Sequence, residues 1–129
     1  MEPLRIQATS KTPEVLLDAS NEVFEIKGKS VPNDAEDFFH PITSWIEDYV
    51  SKPNTTTLFK IELEYFNISS SKRILNIFYK LHELIEKGFD LVVEWHYNED
   101  EDDMLEVGED YEFMVRIPFK YIKHSLVHH

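Results

Sequence analysis

The chain contains no cysteine. That excludes disulfide scaffolds, thiol nucleophiles and cysteine-based zinc sites, and it fits a reducing compartment. Glycine is scarce, at 3 residues in 129, so there is no glycine-rich phosphate loop and no flexible linker. No window approaches the roughly 18 apolar residues of a membrane-spanning helix. Residues 1–10 carry Glu2 and Arg5 and no apolar stretch of signal length. The expected setting is therefore soluble and cytoplasmic, without membrane insertion. Bases are also few: 13 Lys and Arg face 25 Asp and Glu, for a net charge of -12. Such a chain repels phosphate backbones and anionic lipid, which argues against nucleic-acid and membrane partners.

What is present suffices for a core. Hydrophobic residues make up 42% and aromatics 13% of a 15.3 kDa chain, enough for one domain over 1–129 and too little for two. The acidity is concentrated. Residues 88–115 hold 11 acids and no Lys or Arg, while the remainder has 14 acids and 13 bases. Asp100, Glu101, Asp102 and Asp103 form the densest run. A run of this kind is either a solvated face or a docking surface for a basic partner or cation. It is not an EF-hand: a loop starting at Asn98 has Asp103 at its sixth position, where glycine is required.

Hydrophobic periodicity outlines the elements. Residues 4–8 suggest a short strand, and 14–18 with 23–27 a hairpin turning at 19–22. Residues 28–33 read as a loop. Asp34 is a plausible N-cap for a helix to about Val50, with Phe38, Phe39, Ile42, Trp45, Ile46 and Tyr49 spaced by threes and fours. Pro41 predicts a break or kink. In 57–66, Phe59, Ile61, Leu63 and Tyr65 alternate with Lys60, Glu62 and Glu64. A helix follows to Lys87, stopped by Gly88, and 89–97 is another strand. Residues 104–110 suggest a helical turn. Residues 111–119 alternate again and are expected to close the sheet. Two strands flanking one helix make a βαβ unit, with parallel strands. Because both strands have a charged second face, helices should cover mainly one side. The expected fold is α/β, a two-layer sandwich with a mixed sheet.

The strand–helix junction carries the chemistry. Residues 67–72 read Asn67, Ile68, Ser69, Ser70, Ser71, Lys72. A hydroxyl here is expected to cap the helix, yet three are offered. A helix N-terminus also favours an anion, and phosphorylation would add about -1.5 to -2 charges there without melting the helix. Ser69, Ser70 and Ser71 are the acceptor candidates, with Lys72 and Arg73 placed to pair with a phosphate.

Several stretches occur in a fixed order: Ala8-Thr9, Thr12-Pro13-Glu14-Val15, Gly28-Lys29-Ser30-Val31-Pro32-Asn33, the junction from Tyr65 to Lys72, the acidic 99–104 run, Gly108-Glu109-Asp110-Tyr111 and Pro118-Phe119. Together, over nearly the whole chain, they resemble the SiaC family of bacterial regulatory phosphoproteins. The resemblance implies a fold similar to the STAS domain of anti-sigma-factor antagonists, and a partner switch. A cognate protein kinase would phosphorylate the junction and a PP2C-type phosphatase would reverse it. The unphosphorylated form would bind and activate a diguanylate cyclase, raising cyclic di-GMP and favouring aggregation or biofilm growth. Asn67, Lys72, Arg73, Thr12 and Glu14 become phosphate- or partner-surface candidates. The family carries its phosphorylated Thr directly after the Asn, where this chain has Ile68. The acceptor then passes to Ser69 or Ser70, Ser69 being nearest, or the protein binds its partner constitutively.

Other constellations carry less. There is no nucleophile elbow and no cofactor motif, so no catalytic residue and no cofactor are expected. Glu94 and His96 share one strand face, but no third ligand has a fixed spacing to them, so no metal site is expected. His128 and His129 end the chain and are expected to fray. Two sequons, at Asn54 and Asn67, mean nothing without secretion. The competing readings are an anti-sigma-factor antagonist, a constitutive binding module, and a small enzyme holding a divalent metal in the acidic segment.

Overall fold

The computed structural model describes residues 1–125; His128 and His129 lie outside them. The elements run β1 (Leu4–Ile6), β2 (Glu14–Asp18), β3 (Val23–Ser30), α1 (Ala35–Ser51), β4 (Thr56–Phe66), α2 (Ile68–Glu86), β5 (Asp90–Asn98), α3 (Asp102–Val115) and β6 (Phe119–His124). The strands form one mixed sheet in sequence order. β1, β2 and β3 pair antiparallel, and β3 to β6 pair parallel. Each parallel connection carries one helix.

The inward residues of the sheet and the apolar stripes of the helices share one core. Phe24, Ile26, Phe59, Ile61, Val93 and Trp95 meet Ile42, Tyr49, Ile77 and Phe78, all nearly inaccessible. The opposite face is polar and ordered by cross-strand pairing. One row reads Glu25, Lys60, Glu94, Lys120, and the next Glu14, Lys27, Glu62, His96. Facing charges of opposite sign contribute roughly 0.2–1 kcal/mol per pair, so this side is stable against water. The result is the expected two-layer sandwich.

The β2–β3 turn is held by Asp18, which accepts from the Asn21 amide side chain and backbone N–H. The Asn21 hydrogen bond lowers the Asp18 pKa against the opposing effect of burial. Glu22 takes the left-handed conformation that closes the turn.

Four local expectations are corrected. Residues 28–30 are not loop: β3 continues to Ser30, which pairs with Phe66. The register shifts here, with Gly28 opposite Leu63 and Lys29 opposite Tyr65, so Glu64 is an extra residue on β4. A bulge reverses the facing of everything beyond it. That is why Tyr65, in phase with the core by simple alternation, is 60% exposed, while Phe66 packs against the core. Gly28 supports the bend with φ 126°, and a Cβ there would contact Pro13 Cα at 3.4 Å.

The break predicted at Pro41 does not occur; α1 is continuous through it. Pro41 is exposed, and a helix-interior proline costs about 3 kcal/mol. The buried side chains of α1, at roughly 1.5–3 kcal/mol each, outweigh that.

The strand predicted over 111–119 is also wrong. Its first half is the end of α3, and the strand that closes the sheet is Phe119–His124. Tyr111, Val115 and Gly108 are buried at helical spacing, whereas Phe113, in phase with a strand, is 86% exposed. Asp102 and Asp103 sit in the first turn of α3, where negative charge complements the helix dipole.

Candidate functional site

Parallel strands place all their C-terminal ends at one edge of the sheet. β4 therefore delivers the junction at Asn67 to the same edge where β5 delivers the acidic run. The loop before β2 reaches this edge too, because β2 runs antiparallel. The Val31 N–H donates to the Lys11 carbonyl (2.7 Å) and the Asn67 N–H to the Ser30 carbonyl (3.1 Å). Residues scattered over ninety positions become neighbours for a topological reason.

At the junction the cap is Asn67, not a serine. Its Oδ1 accepts from the Ser70 N–H at 2.8 Å, and its carbonyl accepts from the Ser71 N–H at 2.9 Å. The three hydroxyls thus have other fates. Ser70 is fully buried and accepts from the Ser30 hydroxyl at 2.8 Å. The Ser71 hydroxyl lies 2.8 Å from the Tyr111 hydroxyl. Ser69 is exposed on the first turn of α2. It lines a surface groove with Asn33, Asp34, Glu36, Lys72 and Arg73. Lys72 and Arg73 follow it by three and four positions, the spacing that puts side chains on one helix face. Arg73 already approaches Glu36 at 3.9 Å, so a new anion on Ser69 would compete for that guanidinium. Ile68 begins the helix with 78% of its surface exposed.

The acidic run forms one wall of a neighbouring groove of about 650 Å³. Asp100, Glu101, Asp102 and Asp103 face Glu64, Tyr65 and Phe66 across it. The exposed Tyr65 ring and several carboxylates thus border one groove beside the start of α3. Thr12 is farther along the same edge, with its hydroxyl 2.6 Å from that of Thr9. Glu14 is not at the junction; it points from the sheet opposite Lys27.

Sequence reasoning missed how α3 is fastened. Gly108 lies against the buried Trp95 indole, where a Cβ would come within 2.7 Å of the ring. Trp95 Nε1 donates to the Met104 carbonyl at 2.9 Å. Tyr111 donates to the Ser71 carbonyl at 3.0 Å; burial raises its pKa, partly offset by the Ser71 contact. Glu112 accepts from the Phe119 N–H at 2.9 Å and the Tyr121 hydroxyl at 2.7 Å. Burial and then this carboxylate push the Tyr121 pKa strongly up. The only sequence signal was Gly108 followed three residues later by Tyr111.

The metal question also changes. Glu94 and His96 lacked a third ligand in sequence, but β4 and β6 bring Glu62 and His124 to His96. No helix among the described residues is long and apolar enough to cross a membrane.

Comparison with known proteins agrees with this geometry. Residues 6–124 match the family described as SiaC family regulatory phosphoprotein. An uncharacterised protein of Pseudomonas aeruginosa strain UCBPP-PA14 is 25% identical over 125 residues, 97% of this chain and 99% of its own length. Among solved structures, SiaC of Pseudomonas aeruginosa is 25% identical and superposes with a TM-score of 0.87, over 96% of this chain and 100% of that one. A second structure holds the diguanylate cyclase SiaD in complex with its activator SiaC from the same organism. It matches at 25% identity and a TM-score of 0.88, over 94% of this chain and 99% of that one.

Proposed function

This chain belongs to the SiaC family of regulatory phosphoproteins, and on that premise we propose that it is a non-catalytic, cytoplasmic activator of a diguanylate cyclase. Its contact surface is the strand–helix junction with the adjoining acidic groove. A cognate kinase phosphorylates Ser69, a PP2C-type phosphatase removes the phosphate, and only the unphosphorylated form binds. The similarity to a SiaC solved in complex with its cyclase supports the choice of partner.

The observation that carries the choice of acceptor is the unequal fate of the three serines. Ser70 is buried and Ser71 is engaged by Tyr111, while Ser69 is open to solvent beside Lys72 and Arg73. A phosphate there changes the charge and shape of the rim between the exposed Ile68 and the groove, and leaves the Asn67 cap intact.

Ile68 favours a second reading. The residue at the family's acceptor position has no hydroxyl and presents apolar surface instead. On this reading the protein binds its cyclase constitutively. Phosphopeptide mass spectrometry across 67–72, on protein from its native cells with phosphatases blocked, separates the two. Phosphate on Ser69 supports the switch; a well-covered, unmodified peptide under several growth conditions supports constitutive binding. Pulldown with the full chain tests the partner. Recovery of a sigma-factor inhibitor in place of a cyclase would mean an anti-sigma antagonist.

A further inference from the structure

The open face of the sheet carries a cluster that lies outside the junction and its acidic groove. Glu62 on β4, His96 on β5 and His124 on β6 stand on three adjacent strands. His96 Nδ1 lies 2.7 Å from His124 Nε2. Glu62 Oε1 lies 3.1 Å from His124 Nε2 and 3.5 Å from His96 Nδ1. Three ligand atoms therefore converge on one point. Ligands at about 2.0–2.2 Å from a tetrahedral zinc ion are roughly 3.2–3.6 Å from one another. The two separations to Glu62 are close to that spacing. The nitrogen–nitrogen separation, 2.7 Å, is shorter, so binding would require the partly exposed His124 ring to rotate outward.

The remaining atoms of the cluster are arranged to the same end. His96 Nε2 is 2.6 Å from Glu94 Oε1. A carboxylate at that distance holds the imidazole proton on Nε2, which leaves the Nδ1 lone pair directed at Glu62 and His124. A carboxylate on the far nitrogen is what orients metal-bound histidines and raises their basicity. Glu62 is divided likewise, with Oε2 at 3.5 Å from Lys27 Nζ and Oε1 turned to the imidazoles. The short contact between two ring nitrogens requires one proton between them; a metal ion replaces it.

We propose that Glu62, His96 and His124 form a binding site for a divalent transition metal of the zinc type, with Glu94 as the residue that positions His96. Two imidazoles and one carboxylate suit such an ion, whereas magnesium and calcium take shells of oxygen. The fourth coordination position is open to water or to a partner's side chain. The ion clasps the edge strand β6 to β5 and β4.

Calorimetric titration of the full chain with zinc, and visible absorption with cobalt(II), test the site. The expected results are one ion per chain, intense tetrahedral cobalt bands, and a melting temperature that rises with zinc by mass action. His124→Gln, at a partly exposed position where folding is not at stake, should weaken binding at least about tenfold and abolish the tetrahedral bands. Glu94→Gln should weaken binding roughly 10–100-fold while keeping them, as expected of an outer partner. A His128→Ala, His129→Ala chain should bind as the wild type does, and excess magnesium should not displace the zinc. The proposal is overturned by absence of saturable zinc binding, or by binding insensitive to His124→Gln. It is equally overturned if binding is lost with His128 and His129, or is displaced by magnesium from the acidic run.

Discussion

Tyr111 and Ser71 are joined twice: the phenol donates to the Ser71 carbonyl at 3.0 Å and lies 2.8 Å from the Ser71 hydroxyl. This contact ties α3, which carries the acidic run, to the first turn of α2, which carries the junction. Together with the Trp95 bond to the Met104 carbonyl and the Glu112 contacts, it holds the two walls of the proposed contact surface in one geometry. Phe78 and Trp95 pack around the same ring, with centroids 5.2 and 5.7 Å away.

Tyr111→Phe keeps the ring and removes both hydrogen bonds. A net hydrogen bond is worth roughly 0.5–1.5 kcal/mol, so a loss of about 1–2 kcal/mol in denaturant unfolding is expected. Amide exchange should quicken in the first turns of α2 and α3 and not in β4. Uniform quickening across the molecule would show that the contact does not act locally.

Gly108→Ala sets two effects against each other. Alanine favours a helix over glycine by up to about 1 kcal/mol. The added Cβ meets the buried Trp95 ring at 2.7 Å, and overpacking costs roughly 1–3 kcal/mol. The clash should win, with a net loss of stability and a changed near-ultraviolet signal from Trp95. A more stable variant would mean that the indole moves aside easily and that Gly108 does not set the position of α3.

The contrast between β4 and α3 explains what could be read from the sequence. In β4, Phe59, Ile61 and Leu63 alternate with charged residues, and only one periodicity fits. In 104–119 both periods fit: Tyr111, Phe113 and Val115 alternate, while Met104, Gly108, Tyr111 and Val115 follow a helix. Only tertiary packing decides, and it buries Gly108 on Trp95 while leaving Phe113 in water. Tyr65 was misread because a single inserted residue, Glu64, reverses the phase without changing the composition. The cap of α2 was misassigned, since Asn67 and not a serine fills it. The strand–helix junction was legible because its residues are contiguous, and the family because its separate stretches keep their order along nearly the whole chain. The Glu62, His96 and His124 cluster was not, since it depends on the register of three parallel strands.

Alkaline pH should act on the fastening of α3. The phenols of Tyr111 and Tyr121 are both held above the ordinary value of 10.0, first by burial. A raised folded-state pKa means that the native protein holds the proton more tightly than the unfolded chain does. The associated stability is complete below about pH 10 and is lost as the pH rises through the folded values. Unfolding free energy measured against pH should therefore fall above pH 10. The slope should be shallower in a Tyr111→Phe, Tyr121→Phe double variant; equal slopes would assign the loss to other groups.

Aspartate substitution distinguishes Ser69 from Ser70, which the sequence separates only by their distance from position 68. At Ser69 the new carboxylate is solvated and sits in the first turn of α2, where the dipole favours it by roughly 0.3–1 kcal/mol. Ser69→Asp should therefore fold as well as the wild type, with its Asn67 cap intact. At Ser70 the carboxylate would be buried against the Ser30 hydroxyl, where Ser70 is inaccessible. An unpaired buried charge costs about 3–5 kcal/mol, so Ser70→Asp should be strongly destabilised or unfolded. Capture of the cyclase by the folded variants then reads the switch. Ser69→Ala should bind as the wild type does and Ser69→Asp should bind weakly, at unchanged stability. If Ser69→Asp captures the cyclase as well as Ser69→Ala does, a negative charge at this rim does not control docking. Ile68 then marks a member of the family that stays permanently in its binding form.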